Sequence, residues 1–365
     1  MKKMTGIDLH SNNLVCGIVD MDGKRLLDKR LPCKLPAVLN ALAPHKEDIV
    51  TVAVESTYNW YWLVDGLQAN GYQVVLANPA GIQQYNGLKH SDDSSDVFFL
   101  ADLLRLGILP TGYIYPKETR PARDLLRRRV SLVQQRTALS LSLKGLHMRA
   151  FGEDLKTGEL KKLDPDEARK LFADPANKLV AGEQVHLIGQ LSASIRLIEK
   201  EVLKTARNWP SYGRLKTLPG VGIILGLMIA MESGPVERFA SEGDFASYCR
   251  CVRAARLSNG KSKGENNGKC GNKYLAWAFV EAANFAQRYD GRCRQFYDRK
   301  KAQVNGIVAT KALACKLSKA AWHMMKHDSD YNEERMFGPA PALKPTAILA
   351  ARKEQKKEMK PKKKA

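Results

Sequence analysis

No apolar run in this chain reaches the roughly 20 residues that a membrane-spanning helix needs. Its N-terminus, MKKMTGIDLH, also lacks the apolar core of a secretory leader. The reading is a soluble protein of a bacterial cytoplasm, held at the nucleoid if its partner is chromosomal. Cysteine is sparse and odd in number: Cys16, Cys33, Cys249, Cys251, Cys270, Cys293 and Cys315, with no CxxC spacing. That argues against a disulfide framework and against a structural zinc site, and leaves free thiols.

Acidic charge is scarce as well, and unevenly spread. The 365 residues carry a formal net charge of +21. Residues 1–115 hold 10 basic against 12 acidic side chains, so the whole excess lies downstream. A mildly acidic region followed by a strongly basic one predicts a polyanion partner, and nucleic acid is the commonest, bound largely through counterion release.

Along the chain, residues 1–115 alternate strands and helices. MTGIDLH and NLVCGIVDMDGKRLLDKRL read as strands with a hairpin turn at Asp22-Gly23. The helix LPAVLNALAPH, the strand DIVTVAVES, the helix YNWYWLVDGLQANG and the strand YQVVLANP follow, then a helix from Asp92 and a short strand TGYIYP. This is an α/β domain with a mixed sheet. Residues 116–210 change character: Leu125, Leu132, Leu139 and Leu146 recur every seven, and Ile188, Leu191, Ile195, Ile198 and Val202 alternate by three and four. Both patterns are coiled-coil seams, on helices near 116–150 and 183–207, and they predict an arm. A seam does not reveal whether its partner is the same chain or a second copy. Residues 211–338 predict a helical, glycine-rich domain containing a basic loop, RCVRAARLSNGKSKGENNGKCGNK, and residues 339–365 a lysine-rich disordered tail.

Four carboxylates in the first domain sit where a metal site would need them. Asp8 interrupts the apolar strand Gly6-Ile7-Asp8-Leu9, which is costly for a charge unless it is paired or metal-bound. Glu55 ends the strand VAVES, and Asp93 and Asp96 share one face of a helix's first turn. Oxygen donors of this kind suit two Mg²⁺ ions acting on a phosphodiester. Actin-like sugar kinases also open on a strand with an Asp and a hairpin, but Leu9-His10-Ser11-Asn12-Asn13 lacks the glycine-rich phosphate turn they need. His10 and His90 flank the acids and read as ordinary histidines or proton relays. The tryptophans Trp60, Trp62, Trp277 and Trp322 read as core. For nucleic acid the candidates are Arg127, Arg128 and Arg129 on the arm, the turn glycines Gly220 and Gly222, and Arg253, Arg256, Lys261, Lys263 and Lys269 in the basic loop.

The stretches GIDLH, VAVESTYNWYWLVDGLQANGYQVVLANPA, DDSSDVFFLADLL, LKTLPGVGIILG and RLSNGKSKGENNGKCGNKYLAWA occur in the order and spacing of a known family. The chain resembles DEDD-type insertion-sequence transposases related to the Piv DNA invertase, the bridge-RNA-guided recombinases. The resemblance implies an RNase H-like (RuvC-like) domain, a coiled-coil arm and a helical C-terminal transposase domain. It also implies Mg²⁺ ligation by Asp8, Glu55, Asp93 and Asp96, and Ser258 rather than Ser262 as a nucleophile that cleaves and rejoins DNA. The implied partners are DNA, a structured non-coding guide RNA, and further copies in a homodimer or homotetramer. Two other readings are a metal-dependent Holliday-junction resolvase or nuclease that hydrolyses DNA, and a non-catalytic RNA-binding scaffold.

Overall fold

Strands β1 (Lys3–Leu9), β2 (Asn13–Asp20) and β3 (Arg25–Pro32) form an antiparallel meander, turned between β2 and β3 at Gly23 with φ of 83°. The computed structural model describes residues 1–82, 93–206, 209–252, 255–259, 261–265 and 270–339. Helix α1 (Leu35–Leu42) leads to β4 (Ile49–Glu55), helix α2 (Tyr61–Ala69) to β5 (Val74–Ala77), and helices α3 (Pro79–Ile82) and α4 (Asp93–Arg105) to β6 (Thr111–Gly112). The sheet order is β3-β2-β1-β4-β5-β6, with β1, β4 and β5 parallel and β6 antiparallel to β5. This is the mixed α/β, RNase H-like architecture expected from the strand and helix pattern.

Strand side chains alternate between the two faces. Ile7, Leu9, Leu14, Cys16, Ile18, Val52 and Val54 pack with Val38, Leu42, Leu63, Val64 and Leu67 from α1 and α2. On the opposite face Met4 and Val19 pack with Phe98 and Ala101 of α4. Gly6 and Gly17 are register partners across β1 and β2 on that face. A Cβ on Gly6 would run into the Val97 carbonyl, and one on Gly17 would lie 2.6 Å from Val97 Cγ1. The glycine pair is therefore a seat cut into the sheet for α4.

Helices α5 (Arg120–Phe151) and α8 (Pro175–Ala206), 32 residues each, pair within the chain as an antiparallel hairpin, joined through α6 (Thr157–Leu160) and α7 (Pro165–Lys170). The antiparallel register follows from Arg129 Nε–Glu199 Oε1 at 2.7 Å and Arg136 Nη1–Ser192 Oγ at 3.3 Å. Near the tip Leu143, Leu146, Leu160, Phe172, Ala181 and Val185 form a separate core. At the root, buried Arg120 makes two bonds to Asp65 (2.8 and 2.9 Å) and stacks on Trp60 and Tyr61, tying the arm to α2.

The first unit comprises Met1–Arg207 and, in addition, Arg253–Lys273. The basic segment read as a loop contains a two-stranded hairpin, β7 (Ala255–Ser258) with β8 (Lys261–Glu265), turned at Asn259 with φ of 50°. The second unit is helical: α9 (Pro210–Leu215), α10 (Ile223–Ser233), α11 (Glu242–Tyr248), α12 (Lys273–Tyr289), α13 (Gly291–Gln303), α14 (Gly306–Lys326) and α15 (Glu333–Phe337). Phe245, Phe279, Leu313 and Leu317 are fully buried in it. Trp60 and Trp322 are core residues. Among the described residues no helix is long and apolar enough to cross a membrane.

The glycine seat yields a stability prediction. Gly6→Ala forces a methyl against backbone that cannot rotate away, an overpacking cost of about 2 kcal/mol. Gly145→Ala, in α5 with only Arg149 Nη1 at 3.9 Å from the new Cβ, should be neutral or stabilising by up to ~1 kcal/mol. Thermal unfolding of the two variants should therefore move in opposite senses, or fall only for Gly6→Ala.

Candidate active site

Alternation along the strands decides which side chains can meet. Ile7 and Leu9 face α1 and α2, so Asp8 lies on the face that carries Gly6 and α4. Val52 and Val54 likewise face α1 and α2, which puts Glu55 on the α4 face. Ile7 is the register partner of Val54, so Asp8 and Glu55 are neighbours at the C-terminal ends of two adjacent parallel strands.

The direction of α4 brings the remaining acids to the same end. Arg105, at its C-terminus, donates from Nη1 to the Met21 carbonyl at 3.2 Å, beside the β2–β3 turn. That turn neighbours the start of β1, where Lys3 partners Asp20. Gly6 meets Val97 and Ala101 midway. Helix α4 thus runs antiparallel to β1, and its first turn, which carries Asp93 and Asp96, is aimed at the Asp8 end. Asp96 is half-buried with Oδ1 shielded from solvent. The side chain of Asp93 lies outside the described residues. Among the described residues no three acidic, histidine or cysteine side chains stand as a ready-made ion cage.

Asp8 is 4% exposed, and its Oδ2 lies 3.3 Å from His10 Nε2. His10 is held from behind: its amide donates to the Asn13 carbonyl (3.0 Å), and its carbonyl accepts from Asn59 Nδ2 (3.0 Å). Thr57 Oγ1 in turn donates to Asn59 Oδ1 at 2.9 Å. The segment after Glu55 thereby fastens the end of β1, so both acid-bearing strand ends are tied together. Thr57 and Asn59 carried no sequence signal beyond being short polar residues two and four positions after Glu55. His10 does meet an acid, as its position beside Asp8 allowed.

The nucleic-acid candidates fare differently. Arg128 is exposed, Arg127 is half-buried, and Arg129 is engaged by Glu199 across the arm. Gly220, with φ of 76°, is pressed against α12, where a Cβ would strike the Ala282 carbonyl; close packing accounts for that glycine. Gly222 is exposed and caps the start of α10. Arg256, Ser258, Lys261 and Lys263 lie on the β7–β8 hairpin, with Ser258 opposite Lys261. Cys270, past that hairpin, lies with Sγ 3.6 Å from the Ala80 carbonyl. Arg253, Lys269, His90, Asp92 and the tail from 340 onward fall outside the described residues.

Two family models match the chain in succession. A DEDD transposase model of the IS110 type covers residues 5–151, which includes all four acids, and a transposase model of the IS116/IS110/IS902 family covers 212–298. This chain is an IS110/IS116-family DEDD-type transposase. Two full-length relatives agree. The transposase for insertion sequence element IS1328 of Yersinia enterocolitica is 24% identical over 328 residues, 87% of this chain and 95% of the relative. The transposase for insertion sequence element IS1111A of Coxiella burnetii is 21% identical over 352 residues, 90% of this chain and 91% of the relative. The chain is accordingly an enzyme acting on DNA.

The matches also correct the mechanism implied by resemblance. The model covering the first domain takes its name from the acid set, and with the RNase H-like fold this implies metal-dependent nuclease chemistry. Such chemistry attacks the phosphate with an oxygen of water or of a DNA hydroxyl, so it needs no protein nucleophile, and the role assigned to Ser258 falls. Neither match carries guidance by a bridge RNA, and the matched transposases give no link to the Piv invertase. The serine-nucleophile reading gives way to the metal-dependent nuclease alternative.

Proposed function

We propose that this transposase cuts DNA strands by metal-dependent hydrolysis in the manner of a nuclease or junction resolvase, with Asp8, Glu55, Asp93 and Asp96 as its metal-holding acids. The observation that carries this reading is the convergence on one face. Asp8 and Glu55 end adjacent parallel strands, and α4, seated on Gly6 and Gly17, aims its first turn at them. The donor set fits a hard cation: it is all carboxylate oxygen, and Asp8 is a charge buried in an otherwise apolar strand. Magnesium is the natural occupant by that chemistry. Bound divalent cations would supply Lewis-acid stabilisation of the charge that builds on the phosphate during cleavage.

The chain's own residues do the rest. The fixed strand ends set the spacing of Asp8 and Glu55, and the Thr57–Asn59–His10 chain of hydrogen bonds keeps that spacing from opening. Exposed cations such as Arg128 and Lys261 supply the phosphate contacts that hold the strand. The arm leaves Leu141, Leu187 and Leu197 exposed although its seam is satisfied internally. These residues suit contact between copies, as a homodimer or homotetramer.

Asp8→Asn, Glu55→Gln and Asp96→Asn should each lower Mg²⁺-dependent cleavage of a labelled four-way junction by at least ~100-fold while junction binding in EDTA persists, since only the acids' charge is removed. Full cleavage by any of the three would remove that acid from the site. In sedimentation velocity the wild-type chain should run as a dimer or larger. Leu141→Ser/Leu187→Ser/Leu197→Ser should shift it toward monomer, and an unshifted boundary would free the arm of this role.

A further inference from the structure

The turn between α13 and α14 is unlike the rest of the second unit's surface. Only Val304 and Asn305 separate the two helices, and Asn305 Oδ1 caps α14 by accepting from the Val308 amide at 2.9 Å. Three aliphatic side chains stand out at this tip: Ile307 is 83% exposed, Val304 60% and Val308 44%. Single exposed aliphatics are ordinary, but three within five residues at one turn form an apolar point.

The flanks of that point are cationic. Lys300 precedes Val304 by four residues, and Lys311 follows Ile307 by four, so each shares a helix face or turn with an exposed aliphatic. Arg294, Arg299 and Lys301 are exposed on α13, and Asp298 is the one acid among them. No ion pair among the described residues engages Arg299, Lys300, Lys301 or Lys311. The tip also lies beyond residue 298, outside both stretches matched by the family models.

We propose that the α13–α14 turn is a second, non-catalytic contact with duplex DNA. Val304, Ile307 and Val308 press into the minor groove as an apolar wedge, and Lys300, Lys301 and Lys311 neutralise the phosphates on either side. Apolar side chains flanked by cations are what minor-groove wedges consist of, because the wedge unstacks a base step while the cations hold the bent backbone. The N-terminal end of the 21-residue α14, capped by Asn305, adds positive dipole at the same point. A lipid surface would ask for a broader apolar face than three side chains at one turn. The inference rests on the transposase's action on DNA but not on how the strand is cut, so its test is run without metal.

The test uses the full-length protein in EDTA with a 30-bp A/T-rich duplex, end-labelled for energy transfer. Lys300→Ala/Lys301→Ala/Lys311→Ala should weaken binding about tenfold or more and flatten the plot of log affinity against log salt by about 0.9 per lysine. Ile307→Ser should leave that slope unchanged and abolish the protein-induced approach of the duplex ends. All four positions are exposed or half-exposed, so folding is preserved, which circular dichroism verifies. An unchanged slope in the lysine variant would overturn the proposal. So would an unchanged end-to-end distance with Ile307→Ser. A loss of self-association or of binding to anionic vesicles on Ile307→Ser, with duplex bending intact, would assign the tip to a second copy or to a membrane instead.

Discussion

The close approach of α4 to the paired glycines Gly6 and Gly17 is the constraint on which the acid-bearing end of this molecule depends. A helix can lie this near a sheet only where two cross-strand positions have no side chain. Here both do, and Val97 and Phe98 occupy the gap. The contact fixes how far α4 stands from β1 and where along the strand it sits. The direction of the helix, anchored at its far end by Arg105 on the Met21 carbonyl, then carries its first turn toward Asp8. The helix turn that carries Asp93 and Asp96 is thus directed toward the strand ends of Asp8 and Glu55 by one steric fit rather than by mutual attraction, which like charges could not supply.

The same economy appears in the arm. Its helices are rooted by buried Arg120, whose guanidinium is satisfied by Asp65 and by the Tyr115 carbonyl and packs against the Trp60 and Tyr61 rings, with buried Arg123 on the Tyr115 ring beside it. Beyond the root the seam is internal, with polar bridges such as Arg129–Glu199 setting the antiparallel register. Stable internal pairing leaves the outward apolar residues and the basic positions available to other molecules.

Much of the first domain was legible in the sequence because its central strands are short, mostly apolar runs and its turns carry Asp-Gly or follow a helix-stopping glycine. Asp8 could be singled out because a charge in GIDL has no cheap explanation. Other features had no such signature. The β7–β8 hairpin reads as a loop because its strands are polar and lack alternation. Helix α8 begins at Pro175, eight residues before its seam becomes visible, because Ala-Asn-Lys shows no apolar period. The partner of each seam was not readable, since a heptad pattern is the same whether the facing helix is in cis or in trans. The Thr57–Asn59–His10 lock is invisible in one dimension because it joins residues 49 apart through a backbone carbonyl. Ser258 stood out through resemblance alone, and that role did not survive the family match.

The central claim is that water, activated at the acid-bearing end of β1, β4 and α4, cuts the DNA strand. The measurement that reaches it most directly is cleavage of junction DNA in H₂¹⁸O with Mg²⁺, followed by mass spectrometry of the product ends under single-turnover conditions. Direct hydrolysis predicts one ¹⁸O atom in each newly formed phosphate end and no DNA that remains attached to protein after denaturation. A phosphate end without ¹⁸O, accompanied by a denaturation-resistant protein–DNA link, would contradict it and return the chemistry to a protein nucleophile.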